Sequence, residues 1–106
     1  MANEYYNYGL AKDVPSKLKD GMYRGGYQYT DNAYFSALEA GRALGVATHN
    51  IEVVLKFTND GQFKRGPDVA ENRSRGFAGG ASQYSHAGRP KPVEQRKIAE
   101  KNWTTL

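Results

Sequence analysis

The clearest periodic stretch is IEVVLKF, residues 51–57, which sets Ile51, Val53, Leu55 and Phe57 on one side of an extended chain and Glu52 and Lys56 on the other. Period-2 alternation of this kind predicts a half-buried strand, with Val54 the one apolar residue on the polar side. Asn59-Asp60-Gly61 then supplies a turn signal, and Gln62-Phe63-Lys64 is expected to return as a short strand. Upstream, MYRGGYQYT has strand-like composition at Tyr23, Tyr27 and Tyr29, with Gly25-Gly26 marking a bend or bulge. TDNAYFSALEAGRALG changes to a helical period: Thr30 or Asp31 caps it, Tyr34, Leu38, Gly41 and Leu44 share one face, and Gly45 stops it.

The ends carry weaker signals. Residues 1–20 read as an ordered arm, with Tyr5, Tyr6 and Tyr8 ahead of a short helical turn over 16–19 that closes at Gly21. From 65 to 91 the chain is rich in Gly, Arg, Ser, Asn and Pro, a functional loop with a short strand near 82–85. Pro92 at an early helical position, followed by VEQRKIAEKNW, predicts a C-terminal helix. The fold class expected is therefore α+β: a single compact domain, 1–106, with a small, mostly antiparallel sheet holding 22–29, 51–58 and 62–64, one central helix at 31–44, the glycine-rich loop and the C-terminal helix.

Composition narrows the chemistry. With no cysteine, disulfides, thiolate metal sites and cysteine nucleophiles are excluded. His49 and His86 are the only imidazoles and no HExxH spacing accompanies them, so no metal is expected. No apolar run is long enough to span a bilayer and no export signal is visible, which sets the expectation of a cytoplasmic protein, or one delivered to a target-cell cytoplasm by another route, with no membrane partner. The net charge of +4 is uneven: residues 1–60 hold six Lys/Arg against seven Asp/Glu, whereas 61–106 hold nine against four. A basic C-terminal half favours an anionic partner, whether nucleic acid, a phosphorylated ligand or an acidic protein.

Two glycine-rich segments are candidates for such a ligand. In GMYRGG, Arg24 offers a planar fork to a phosphate, and Gly25-Gly26 let backbone and ligand approach. In GFAGGASQY, Gly79 and Gly80 do the same, Gln83 offers an amide, and Tyr84 or Tyr27 a stacking surface. Neither segment is a P-loop or a GxGxxG fingerprint. The order MYRGG, then IEVVLKF, then PDVAENRSRGFAGGASQY resembles the NAD-glycohydrolase toxins of the tuberculosis-necrotizing type, within the wider ADP-ribosyltransferase fold. The likeness covers 21–84; the chain is shorter than such domains, and Ala81-Ser82 stand where a third glycine is usual. The resemblance implies NAD as substrate, Arg24 on its phosphates, and Gln83 acting at the nicotinamide ribose, with the bond either hydrolysed by water or the ADP-ribose transferred to a protein or nucleic-acid acceptor. The two glycine-rich segments would then set Gly25, Tyr27, Gly79, Gly80 and Tyr84 around that ligand, and an enzyme that depletes NAD calls for an acidic immunity protein as partner in its producer cell.

Two other readings stand beside it. His86 with Arg73, Arg75 and Arg89 suits a metal-independent ribonuclease toxin, since histidine transfers protons near neutral pH. Arg73, Arg75, Arg89 and Lys91, with Arg96, Lys97 and Lys101 beyond, suit phosphate contacts of a small basic protein that binds nucleic acid. The tyrosine-rich start suits an inhibitor of a host enzyme of the phage type, because tyrosine is favoured at interfaces.

Overall fold

The computed structural model describes residues 3–22, 28–32, 36, 51–66 and 83–106. Among the described residues seven strands form one sheet: β1 Glu4–Gly9, β2 Tyr29–Thr30, β3 Val53–Thr58, β4 Phe63–Arg65, β5 Gln83–His86, β6 Glu94–Lys97 and β7 Thr104–Thr105. A 3-10 turn, Ala11–Asp13, leads into the helix α1, Val14–Asp20. The strand order is β4-β5-β2-β1-β3-β6-β7 and every pairing is antiparallel. The architecture is α+β and mostly sheet, as the alternating pattern predicts. The helix expected at 31–44 lies almost wholly outside the described residues, as do most of the strand expected at 22–29 and positions 67–82 of the glycine-rich loop.

The order has a geometric consequence. β3 and β4 are joined by Asn59 to Gln62 alone, yet four strand spacings separate them, about 19 Å in a flat sheet. Five Cα steps reach at most about 17 Å when fully extended, and this connection also turns. Gly61 N–H donates to Asn59 Oδ1 at 2.8 Å and Gln62 N–H to Asp60 Oδ1 at 2.9 Å, both local side-chain turns. The sheet must therefore curl. Its concave side is aromatic: Phe63 of β4 stacks on Tyr5 of β1 with ring centroids 4.2 Å apart, although three spacings lie between the strands. Tyr29 sits edge-on to both Phe57, at 5.2 Å, and Phe63, at 5.1 Å. The turn signal and the short strand after it are both present. β4 pairs with β5, however, rather than returning along β3 as a hairpin.

The register sorts the side chains. Residues directly opposite in an antiparallel ladder face the same way, so Tyr5, Phe57, Tyr29, Tyr84, Phe63 and His86 share the concave face. There they join Val53, Leu55, Val14 and Met22 in one buried cluster, against which Leu18 packs. Val14 and Leu18 are four residues apart and meet it from one side of α1. Val54, fully buried, belongs to the other face. That explains its place in the pattern, because a central strand is covered on both sides.

Two expectations are corrected. Residues 3–20 of the expected arm are part of the sheet and its helix: β1 is a central strand paired with β2 and β3, and only the helical turn ending at Gly21 is as expected. The segment expected as a C-terminal helix contains strand β6, paired with β3 from Val53↔Lys97 to Lys56↔Glu94, and β7 pairs with β6 in turn. Glu, Gln, Arg and Lys favour helix locally by tenths of a kcal/mol. The free backbone edge of β3 outweighs them, because buried N–H and C=O groups left without partners cost more.

Gly21 closes α1 with φ 75° and ψ −178°, and a Cβ there would lie 3.1 Å from Arg89 Cβ and 3.2 Å from its carbonyl oxygen. Gly21→Ala is expected to lower stability by about 1–3 kcal/mol in chemical denaturation. Tyr29 is fully buried and its Oη has no hydrogen-bond partner among the described residues. Tyr29→Phe is therefore expected to melt at or above the parent temperature, gaining up to about 1 kcal/mol.

Candidate functional site

On the convex face the register builds a polar row, one residue from each of six strands: Gln83, Thr30, Tyr6, Lys56, Glu94 and Thr105. Its Gln83 end is buried, with Gln83 8%, Thr30 3% and Tyr6 5% exposed. Strand geometry dictates the row, since each member is the residue directly opposite its neighbour. Thr30 Oγ1 donates to Tyr8 Oη at 2.9 Å, and Tyr6 Oη donates to Glu4 Oε2 at 2.9 Å. Burial, followed by the bond to Glu4 and its charge, pushes the Tyr6 phenol well above its ordinary range, so it stays a donor. Lys56 pairs with Glu94 at 3.1 Å and lies over the Trp103 ring, 4.0 Å from its centroid. Toward Tyr8 and Ser85, both half-buried, the same face is more open.

Gln83, the residue singled out for chemistry, thus opens β5 beside Thr30 and two strands from Tyr6. Tyr84 does not share its pocket: successive strand residues point to opposite faces, and the Tyr84 ring meets Tyr5 edge-on at 4.8 Å on the concave side. Its hydroxyl donates to Asp31 Oδ2 at 3.0 Å, and burial, then that bond and the carboxylate charge, raises its pKa to about 12. Arg89 and Lys91 are exposed, as anion contacts would be. Arg96 is not available in that way: it is 7% exposed and its Nε donates to the Glu100 carbonyl. Arg24, Gly25, Tyr27, Arg73, Arg75, Gly79 and Gly80 lie outside the described residues, as does His49.

His86 is committed to structure. It is 4% exposed, Gly88 N–H donates to its Nδ1 at 2.9 Å, and Nε2 sits 2.8 Å from Asp60 Oδ2. An acceptor Nδ1 carries no proton, so Nε2–H is the donor to Asp60, and neither nitrogen is left to work on a phosphodiester. Among the described residues no group of three His, Asp or Glu side chains is arranged to hold a metal ion, and no helix is long and apolar enough to cross a membrane.

A second polar cluster gave no sequence signal. Asn7, from β1, donates through Nδ2 to the Gln28 carbonyl at 2.8 Å and accepts from Lys17 Nζ at 2.7 Å through Oδ1. These residues line a cleft of about 320 Å³ together with Asp13, Ser16, Asp20, Gly21 and Met22. Asn7 and Lys17 are ten residues apart, and only the return of the chain through α1 along β1 brings them together.

The chain matches no family model, no curated protein and no solved structure.

Partial burial works against the Asp60 charge, but the hydrogen bonds from His86 and from Gln62 N–H, with the imidazole's field, hold its carboxyl below the ordinary 3.8. A depressed folded pKa stabilises the fold above the unfolded value and loses that contribution as pH falls through the folded one. Asp60→Asn is therefore expected to melt below the parent at pH 7, and the gap to close as pH drops below about 4. Melting curves of both proteins from pH 7 to 2.5 check this; a gap that stays constant would refute it.

Proposed function

We propose that this protein binds NAD and cleaves its nicotinamide–ribose bond, with Gln83 at the ribose and Arg24 on the phosphates. The observation that supports the reading is the row Gln83–Thr30–Tyr6 on three adjacent strands, which turns the residue highlighted by the family resemblance toward two further polar side chains. In the cleavage, the C–N electron pair leaves with nicotinamide and positive charge develops on the ribose ring. Fixed dipoles in a buried setting stabilise such charge more than water does, because they need no reorganisation as it forms. The Gln83 amide oxygen and the Thr30 hydroxyl oxygen are groups of that kind, and the flank of the row toward Tyr8 and Ser85 is the side from which a ribose would enter. Water adds at the ribose carbon and gives its proton to solvent.

Glu94 gives no support for transfer to a protein. Glu94, the first acidic residue after Gln83 in the sequence, stands four strands away along the row and pairs with Lys56. It is not placed to activate an acceptor at the ribose. The ribonuclease reading loses its general base, since both His86 nitrogens are occupied. Nucleic-acid binding keeps the exposed Arg89, Lys91, Lys97 and Lys101 but not Arg96.

Incubation with NAD, followed by chromatography for nicotinamide, is expected to show turnover by the parent. Gln83→Ala should lose about 10²–10³-fold of it while keeping its fold by circular dichroism. Arg24→Ala should raise the NAD concentration needed. No release by the folded parent, with water, protein and RNA all available as acceptors, would sink the proposal.

A further inference from the structure

The cleft beside α1 has the parts of an amine site. Asp13, Ser16, Lys17 and Asp20 recur at helical spacing on the side of α1 that borders it, and Met22 and Gln28 complete the wall. Lys17 Nζ is anchored by Asn7 Oδ1, which the Gln28 carbonyl orients through the other end of the amide. Among the described residues that neutral oxygen is its hydrogen-bond partner, and no carboxylate lies within ion-pair distance. Gly9 makes room for the amine: a Cβ there would stand 2.8 Å from Nζ. Burial lowers the Lys17 pKa, with the Asp13 charge opposing, so the neutral amine is more accessible than on a surface lysine.

We propose that Lys17 is a nucleophilic amine that captures small neutral aldehydes in this cleft as imines. The nitrogen lone pair adds to the carbonyl carbon, the carbonyl oxygen takes up protons and leaves as water, and a C=N bond joins the ligand to Nζ. Ser16, on the cleft wall, is placed to hydrogen-bond a ligand hydroxyl, and the volume suits a short hydroxyaldehyde. Asp13 and Asp20 at the cleft repel an anionic keto acid, which sets the preference for an uncharged carbonyl. The site uses Asn7 on the concave side of the sheet, and it is independent of the NAD reading, which uses the convex row.

The test is labelling of the intact chain with glycolaldehyde and cyanoborohydride near pH 7, followed by peptide mass spectrometry. Lys12 and Lys19, exposed on either side of Lys17, are the internal references. Lys17 is expected to carry the adduct about threefold or more ahead of both, and to lose that lead when glyoxylate replaces glycolaldehyde. Gly9→Ala, which crowds Nζ, should reduce Lys17 labelling and leave Lys12 and Lys19 unchanged. Labelling of Lys17 at or below the two references would overturn the proposal, and an undiminished lead with glyoxylate would overturn its preference for neutral aldehydes.

Discussion

Four residues, Asn59 to Gln62, carry the chain from a strand in the middle of the sheet to a strand at its edge, and that short reach forces the sheet to curl. The stack of Phe63 on Tyr5 is the contact that holds the curl closed. Around it Tyr29, Phe57, Tyr84 and His86 meet as edges rather than faces, the arrangement that the aromatic quadrupole prefers. His86 belongs to this construction: its ring lies edge-on to Phe63 at 4.8 Å, while Asp60, in the connection itself, holds its far nitrogen. The turn, the stack and the imidazole thus fix one another.

Curling separates the two faces by chemistry. The concave face takes the aromatic rings and α1. The convex face keeps a polar row in register across six strands, in which Tyr6, Thr30 and Gln83 are buried side by side. Burying polar groups costs several kcal/mol unless they find partners, and here they bond along and across the strands: Thr30 to Tyr8, Tyr6 to Glu4, Lys56 to Glu94. A row of this kind contributes little to the core, and as a set of oriented dipoles it suits stabilising charge in a ligand. The Lys17 cleft is built by the opposite device, one amine held against a neutral amide.

The strand at 53–58 was legible because its apolar period is strict and its polar face is charged. The end of α1 was legible through Gly21, whose backbone angles exclude other residues. Gln83 could be singled out from the glycines before it, and its strand from Gln83-Tyr84-Ser85-His86. What could not be read was which edge each strand joins. Glu94 to Lys97 have helical preferences of tenths of a kcal/mol, and the open edge of β3, more than thirty residues away in sequence, decides their state. The same limit applies to Phe63, whose turn signal is that of a hairpin although its partner is His86. Tyr84 was read as a neighbour of Gln83 in one pocket because the two are adjacent in sequence, and strand alternation parts them. Lys17 and Asn7 look like ordinary surface residues until the fold joins them.

The pairing of β4 carries the curl, since it closes the concave core along the edge of β5 opposite the one that pairs with β2. Backbone and ring contacts measured by nuclear Overhauser spectroscopy test it most directly. The account predicts cross-strand contacts between Lys64 and Ser85, together with contacts between the ring protons of Phe63 and Tyr5. Contacts of Phe63 and Lys64 with Thr58 and Phe57 in a simple hairpin register, with none to Ser85, would contradict it.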